Sequence, residues 1–92
     1  MNYSIVLTLD AENDIKKLKK SGDKKLLIKI DKLLNELREH PTSGTGKPEQ
    51  LKYYEVQTWS RRITDKHRLV YRIQEDKIIV LVLSFWGHYD DK

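Results

Sequence analysis

Residues 58–73 read TWSRRITDKHRLVYRI, and the way this stretch folds back on itself decides the architecture. Aromatic and branched residues flank the polar run Thr64-Asp65-Lys66, the composition of two strands joined by a tight turn. A three-residue loop pairs Ile63 with His67, Arg61 with Leu69 and Trp59 with Tyr71, and leaves Arg62 opposite Arg68, Ser60 opposite Val70 and Thr58 opposite Arg72 on the other face. A two-residue loop sets Ile63 against Arg68, Leu69 against Arg62 and Trp59 against Arg72. Side-chain direction alternates along a strand, so the two registers distribute the same residues differently. The first separates apolar from cationic groups far better, and it sends Arg62, Arg68 and Arg72 to one face. Three close guanidiniums repel one another, a cost that makes sense where a polyanion docks.

The rest of the chain supplies what such a sheet needs. Tyr3, Ile5, Leu7 and Leu9 alternate with other side chains, the period of a half-buried first strand. Asp10 is then placed to cap a helix whose apolar stripe is Ala11, Ile15 and Leu18, and Ser21-Gly22 ends it. Leu26, Leu27, Ile30, Leu33, Leu34 and Leu37 recur at the helical period, with Asp23 as N-cap and Pro41 beyond the end. Residues 41–50 gather both prolines and several small residues and read as a loop. Gly46-Lys47 is followed by Pro48 where a nucleotide-binding loop requires Ser or Thr and then a helix, so ATP and GTP binding are disfavoured. From Lys52 onward, with turn signals at Asp65-Lys66 and Glu75-Asp76, three or four antiparallel strands are expected. The predicted class is α+β, in the order β-α-α-β-β-β(-β), with both helices packed on one face of an antiparallel sheet.

At 92 residues the chain is the size of one domain, spanning 1–92, too small for a cofactor fold plus a substrate domain. The apolar run 78–83 is far shorter than a membrane span, and the N-terminus lacks a basic start leading into an apolar stretch, so neither membrane insertion nor secretion is expected. Zero cysteines exclude disulfides, thiol chemistry and cysteine-based zinc sites, and fit a cytoplasmic setting. The net charge of +4 is unevenly spread. Residues 1–40 hold nine basic and seven acidic groups, residues 41–74 seven and three, and residues 75–92 two and four. The excess lies in the middle third, where Lys47, Lys52, Arg61, Arg62, Lys66, Arg68 and Arg72 interleave with Tyr53, Tyr54, Trp59 and Tyr71. That mixture suits phosphates and stacked bases, although a solvated basic sheet face has the same composition.

His40, His67 and His88 are too scattered for recognisable metal-ligand spacing, so any catalysis is expected to be metal-free, with no cofactor. RNA carries its own nucleophile, the 2′-hydroxyl beside each phosphodiester. A cleaving protein therefore needs a base, an acid for the leaving 5′-oxygen and fixed positive charge at the phosphoryl group. Glu49, His88 and the arginines have the right chemistry, although a lone loop Glu or terminal His is more often simply surface.

The runs Gly46-Lys47-Pro48-Glu49, Leu51-Lys52, Trp59-Ser60-Arg61-Arg62-Ile63, His67-Arg68-Leu69-Val70-Tyr71 and Gly87-His88-Tyr89 stand in an order that resembles the YoeB-type toxins of the RelE superfamily. The resemblance extends from the first strand to Tyr89. It implies a RelE-like fold and a bacterial toxin that enters the ribosomal A site, cleaves the bound mRNA and is held inactive by a YefM-like antitoxin. It also implies Glu49 as general base, His88 as acid and Arg68 as the arginine at the scissile phosphate. Lys52, Arg62 and Tyr89 match supporting positions, and Lys47, Arg61 and Arg72 are further candidates for RNA contact. A homodimer is suggested as well. Asp90 to Lys92 extend past the usual aromatic end.

Two other classes share these features. A ParE-like toxin directed at gyrase would not need Glu49 or His88, and a non-catalytic RNA-binding module could use the same basic sheet. A helix-turn-helix DNA binder fits poorly, because the helices precede the basic region and the arginines fall on strands.

Overall fold

A computed structural model describes residues 2–52 and 56–85. The elements are β1 (Ser4–Leu7), α1 (Leu9–Ser21), α2 (Lys24–Glu39), β2 (Glu49–Gln50), β3 (Thr58–Arg62), β4 (Arg68–Gln74) and β5 (Ile79–Ser84). They form a five-stranded sheet in the order β1-β5-β4-β3-β2, with both helices on one face. Among the described residues no helix is long and apolar enough to cross a membrane.

The expected α+β layering and element order hold, and the sheet corrects one expectation. It is mixed, because β1 lies parallel to β5, with Ser4 beside Ile79 and Leu7 beside Val82. Strand sense follows from the number of chain reversals. A helical hairpin followed by four strands makes that number even, so a first strand seated beside the last must run the same way. The meander β2 to β5 is antiparallel throughout.

The helix ends obey local chemistry with one correction. Thr8, not Asp10, caps α1: its Oγ1 accepts from Ala11 N at 3.2 Å, while Asp10 sits inside the first turn, where its charge faces the helix N-terminus. Leu9 belongs to the helix rather than the strand and is exposed. Asp23 caps α2 as expected, accepting from Leu26 N at 3.1 Å. Gly22 ends α1 at φ 76°, a conformation in which other residues are strained.

Ala11 and Leu18 of α1 and Leu26, Ile30, Leu33 and Leu37 of α2 bury against Ile63, Leu69, Tyr71, Ile73, Val80, Val82 and Phe85. Thr8 ties the helix layer to the sheet, since its N–H and hydroxyl both donate to Val82 O at 3.0 Å. The Thr8→Val protein, which keeps the shape and the backbone N–H bond but loses the cap and the hydroxyl's bond to Val82 together, should be about 1–2 kcal/mol less stable. Its melting temperature should fall by about 5–10 °C, and Thr8→Ser should recover most of that. Thermal denaturation followed by circular dichroism checks both.

Candidate nucleic-acid interface

The hairpin register is the one that segregates charge. Thr58 pairs with Arg72, Trp59 with Tyr71, Ser60 with Val70, Arg61 with Leu69 and Arg62 with Arg68. Thr64 fixes the turn: its Oγ1 accepts from Lys66 N at 3.2 Å and His67 N at 3.1 Å and lies 2.9 Å from His67 Nδ1. Such a local side-chain bond replaces a backbone turn hydrogen bond. The loop expected over 41–50 ends two residues early, because Glu49 and Gln50 form β2 opposite Ser60 and Trp59. That pairing puts Glu49 on the face of Ser60, one row from the Arg62 and Arg68 pair, since alternate residues on a strand share a face.

The face away from the helices therefore gathers Glu49, Arg62, Arg68 and Arg72 on three adjacent strands. It is not bare throughout: Thr58, Ser60 and Val70 are buried, Arg68 and Arg72 are half-buried, and Arg62, Glu49, Lys47 and Lys52 are exposed. Among the described residues no carboxylate lies within ion-pair distance of Arg62, Arg68 or Arg72. Arg72 Nε is buried with no hydrogen-bond partner among those residues, an unmet donor on this side of the sheet. Arg62 and Arg68 stand directly opposite each other, an arrangement that costs stability unless an anion lies between or above them.

Arg61 was a candidate RNA contact, and the structure removes it. In the same register its side chain turns toward the helices and is fully buried. Its Nε donates to Tyr71 Oη at 3.2 Å, Nη1 to Glu36 Oε1 at 3.1 Å and Thr45 O at 3.3 Å, and Nη2 to Ser43 O at 2.7 Å and to His40 O. No donor is left for a ligand. Tyr71 Oη in turn donates to Pro41 O at 2.6 Å, and Glu36 accepts from Thr45 N at 2.8 Å and Thr45 Oγ1 at 2.7 Å. Burial pushes the Glu36 carboxyl up, but the hydrogen bonds from Thr45 and the charge and hydrogen bond of Arg61 outweigh it and leave the group below its ordinary value. Burial raises the Tyr71 phenol, opposed only in part by Arg61. Both shifts favour the charged Glu36 and neutral Tyr71 that these bonds require.

Glu36 is not foreseen from the sequence, because it lies 25 residues from Arg61 in the chain and on a different element. The available signal was its place beside Leu37 at the margin of the apolar stripe, which half-buries a carboxylate in the last turns of α2. Glycine at 46 is likewise required by a close approach: its φ is 87°, and an added Cβ would stand 2.7 Å from Arg62 O. Lys47, at φ 51°, follows directly. His88 and Tyr89, the expected acid and stacking residue, lie outside the described residues. Nearest to them in sequence, Phe85 N donates to Asp14 Oδ2 at 3.0 Å, which ties the end of β5 to α1.

Residues 7–89 match the family described as a YoeB-like toxin of bacterial type II toxin-antitoxin systems. The chain is 42% identical to toxin YoeB of Escherichia coli K12 over 67 residues, 73% of this chain and 77% of that one. A solved YoeB/ParE toxin from Agrobacterium tumefaciens superposes with a TM-score of 0.85 at 35% identity, over 94% of this chain and 99% of the other. YoeB of Staphylococcus aureus has been solved as a dimer (TM-score 0.80, 34% identity) and in a heterotetrameric complex with YefM (TM-score 0.76, 34% identity), each covering 97% of this chain and all of theirs.

Proposed function

Since the chain belongs to the YoeB-like toxins of bacterial type II toxin-antitoxin systems, we propose that it is a metal-independent endoribonuclease that cleaves mRNA in the ribosomal A site and so stops translation. The observation that carries this reading is the shared sheet face of Glu49, Arg62 and Arg68, on which among the described residues no carboxylate lies within ion-pair distance of the arginines.

Glu49 takes the proton from a ribose 2′-hydroxyl, whose oxygen attacks the adjacent phosphorus. The bond to the 5′-oxygen breaks, His88 returns a proton to that oxygen, and a 2′,3′-cyclic phosphate is left upstream. Arg68 meets the charge that builds on the non-bridging oxygens, where a fixed donor acts on the transition state more than on the ground state. Arg62 and Lys52 hold the flanking phosphates, with Lys47 and Arg72 as further contacts. Tyr89 stacks on a base. The exposed lysines of α1 and α2 face ribosomal RNA, and the ribosome aligns the message, which lets so small a domain act in the bacterial cytoplasm.

In the resting state a YefM-like antitoxin binds the toxin, with an acidic segment over the arginine face, and two toxin chains pair. The S. aureus dimer and its complex with YefM support both points.

Primer extension on mRNA-programmed 70S ribosomes, treated with protein stripped of metal by chelator and dialysed beforehand, tests the proposal. New 5′ ends confined to the A-site codon are expected. Cuts in naked RNA alone would indicate a general nuclease. No cuts at all would move the assignment to RNA binding or to gyrase, and a supercoiling assay separates those two.

A further inference from the structure

The segment 40–48 leads from α2 to Glu49, and four of its carbonyl groups turn inward. His40, Ser43 and Thr45 present their carbonyls to the Arg61 guanidinium, and Pro41 presents its carbonyl to the Tyr71 hydroxyl. Glu36 closes the group from α2 by accepting from both Thr45 N and Thr45 Oγ1. Arg62 N then fixes Gly46 O at 2.7 Å, and Glu49 follows three residues later. Strand β3 thus holds this loop from below with Arg61 and presents Arg62 to the opposite face.

Strand β2 has two residues and lies at the sheet edge. A ladder so short does little to fix its own place, so the position of Glu49 depends on the anchored segment before it and on Leu51 N, which donates to Thr58 O at 2.8 Å after it. A general base must come within about 2.6–3.2 Å of the proton it removes. We propose that the buried cluster of Arg61, Tyr71 and Glu36 is a positioning device that sets Glu49 against Arg62 and Arg68. The inference rests on Glu49 being the base of the reaction described above. Arg61 and Tyr71 touch no substrate: they act through the loop.

The Tyr71→Phe protein tests it, because the ring stays while the hydroxyl that accepts from Arg61 and donates to Pro41 is lost. Single-turnover cleavage on programmed ribosomes should slow by about 10- to 100-fold, the scale of a small misplacement of a reacting group. The ribosome concentration for half-maximal rate should stay within about 2-fold, since the cationic contacts that give binding are untouched. Tyr71→Phe is then combined with Glu49→Gln. If Tyr71 acts through Glu49, the double variant is no slower than Glu49→Gln alone, whereas a general loss of folded protein would multiply the two effects. A wild-type rate for Tyr71→Phe beside an inactive Glu49→Gln, or effects that multiply, overturns the positioning role and leaves the nuclease reading standing. A fully active Glu49→Gln overturns the nuclease chemistry itself and the positioning role with it. Should Tyr71→Phe fold poorly, Glu36→Gln carries the same test from the other side of the guanidinium.

Discussion

Glu49→Gln should lower A-site cleavage by about 10²- to 10⁴-fold, the range that a positioned proton acceptor contributes. Arg68→Ala should lower it by about 10²-fold or more, as loss of one preorganised donor to a developing charge does. Neither loss should come from unfolding. Glu49 is exposed on a two-residue edge strand, and exposed substitutions of this kind change stability by about 0.5 kcal/mol or less. Arg68 is directly opposite Arg62, so its removal relieves a like-charge pair as it gives up some buried stem. Its melting temperature should stay within about 4 °C of the parent. Primer extension and a thermal melt on the same preparations check the two halves together. Cleavage near the parent's in both variants would overturn Glu49 as the base and Arg68 as the arginine at the scissile phosphate. A low rate accompanied by a collapsed melt would mean that the face is structural.

The arginine face was legible because it depends on a short-range rule. A strand alternates its side chains, so the loop length decides which residues of β3 share a side with which of β4, and only the three-residue length put Trp59 and Ile63 with Leu69 and Tyr71 and Arg62 with Arg68 and Arg72. The helices were legible for a similar reason, since Leu26, Ile30, Leu33 and Leu37 repeat with the turn of the helix itself. What failed was of longer range. The parallel seat of β1 beside β5 is a property of the whole path, and no residue in Ser4–Leu7 encodes its sense. The α1 cap moved from Asp10 to Thr8 because Thr8 also reaches Val82 and Leu83 across the sheet, a partnership that helix chemistry alone cannot reveal. Glu49 was recognised by its motif, yet its row beside the arginines follows from the β2 pairing. His88 and Tyr89 lie outside the described residues, so their part in the site stays with the motif alone.

Arg61 and Arg62 are neighbours of the same type, and equal substitutions should have opposite consequences. Arg62→Met removes an exposed guanidinium and should change stability by about 0.5 kcal/mol or less, with cleavage reduced. Arg61→Met leaves the Glu36 carboxylate and the carbonyls of His40, Ser43 and Thr45 without their donor inside the protein. Breaking a buried pair in this way costs about 3–5 kcal/mol, against about 5–15 kcal/mol for a whole domain. The melting temperature should fall by about 15 °C or more, at about 4–8 °C per kcal/mol for a domain of this size. Acid adds a second signature. Glu36 is held below its ordinary value of 4.5 in the folded protein, so its contribution is present above that pH and is lost as the pH falls through the lower folded value. Part of that depression comes from Arg61, so below about pH 4.5 the parent should lose stability to acid more steeply than Arg61→Met does. Urea unfolding of the three proteins at pH 7 and at pH 3.5 gives both comparisons. Equal stability of Arg61→Met and Arg62→Met at pH 7 would mean that the inward guanidinium does not hold the loop, and a second reason would be needed for glycine at 46 and for the inward turn of four carbonyls.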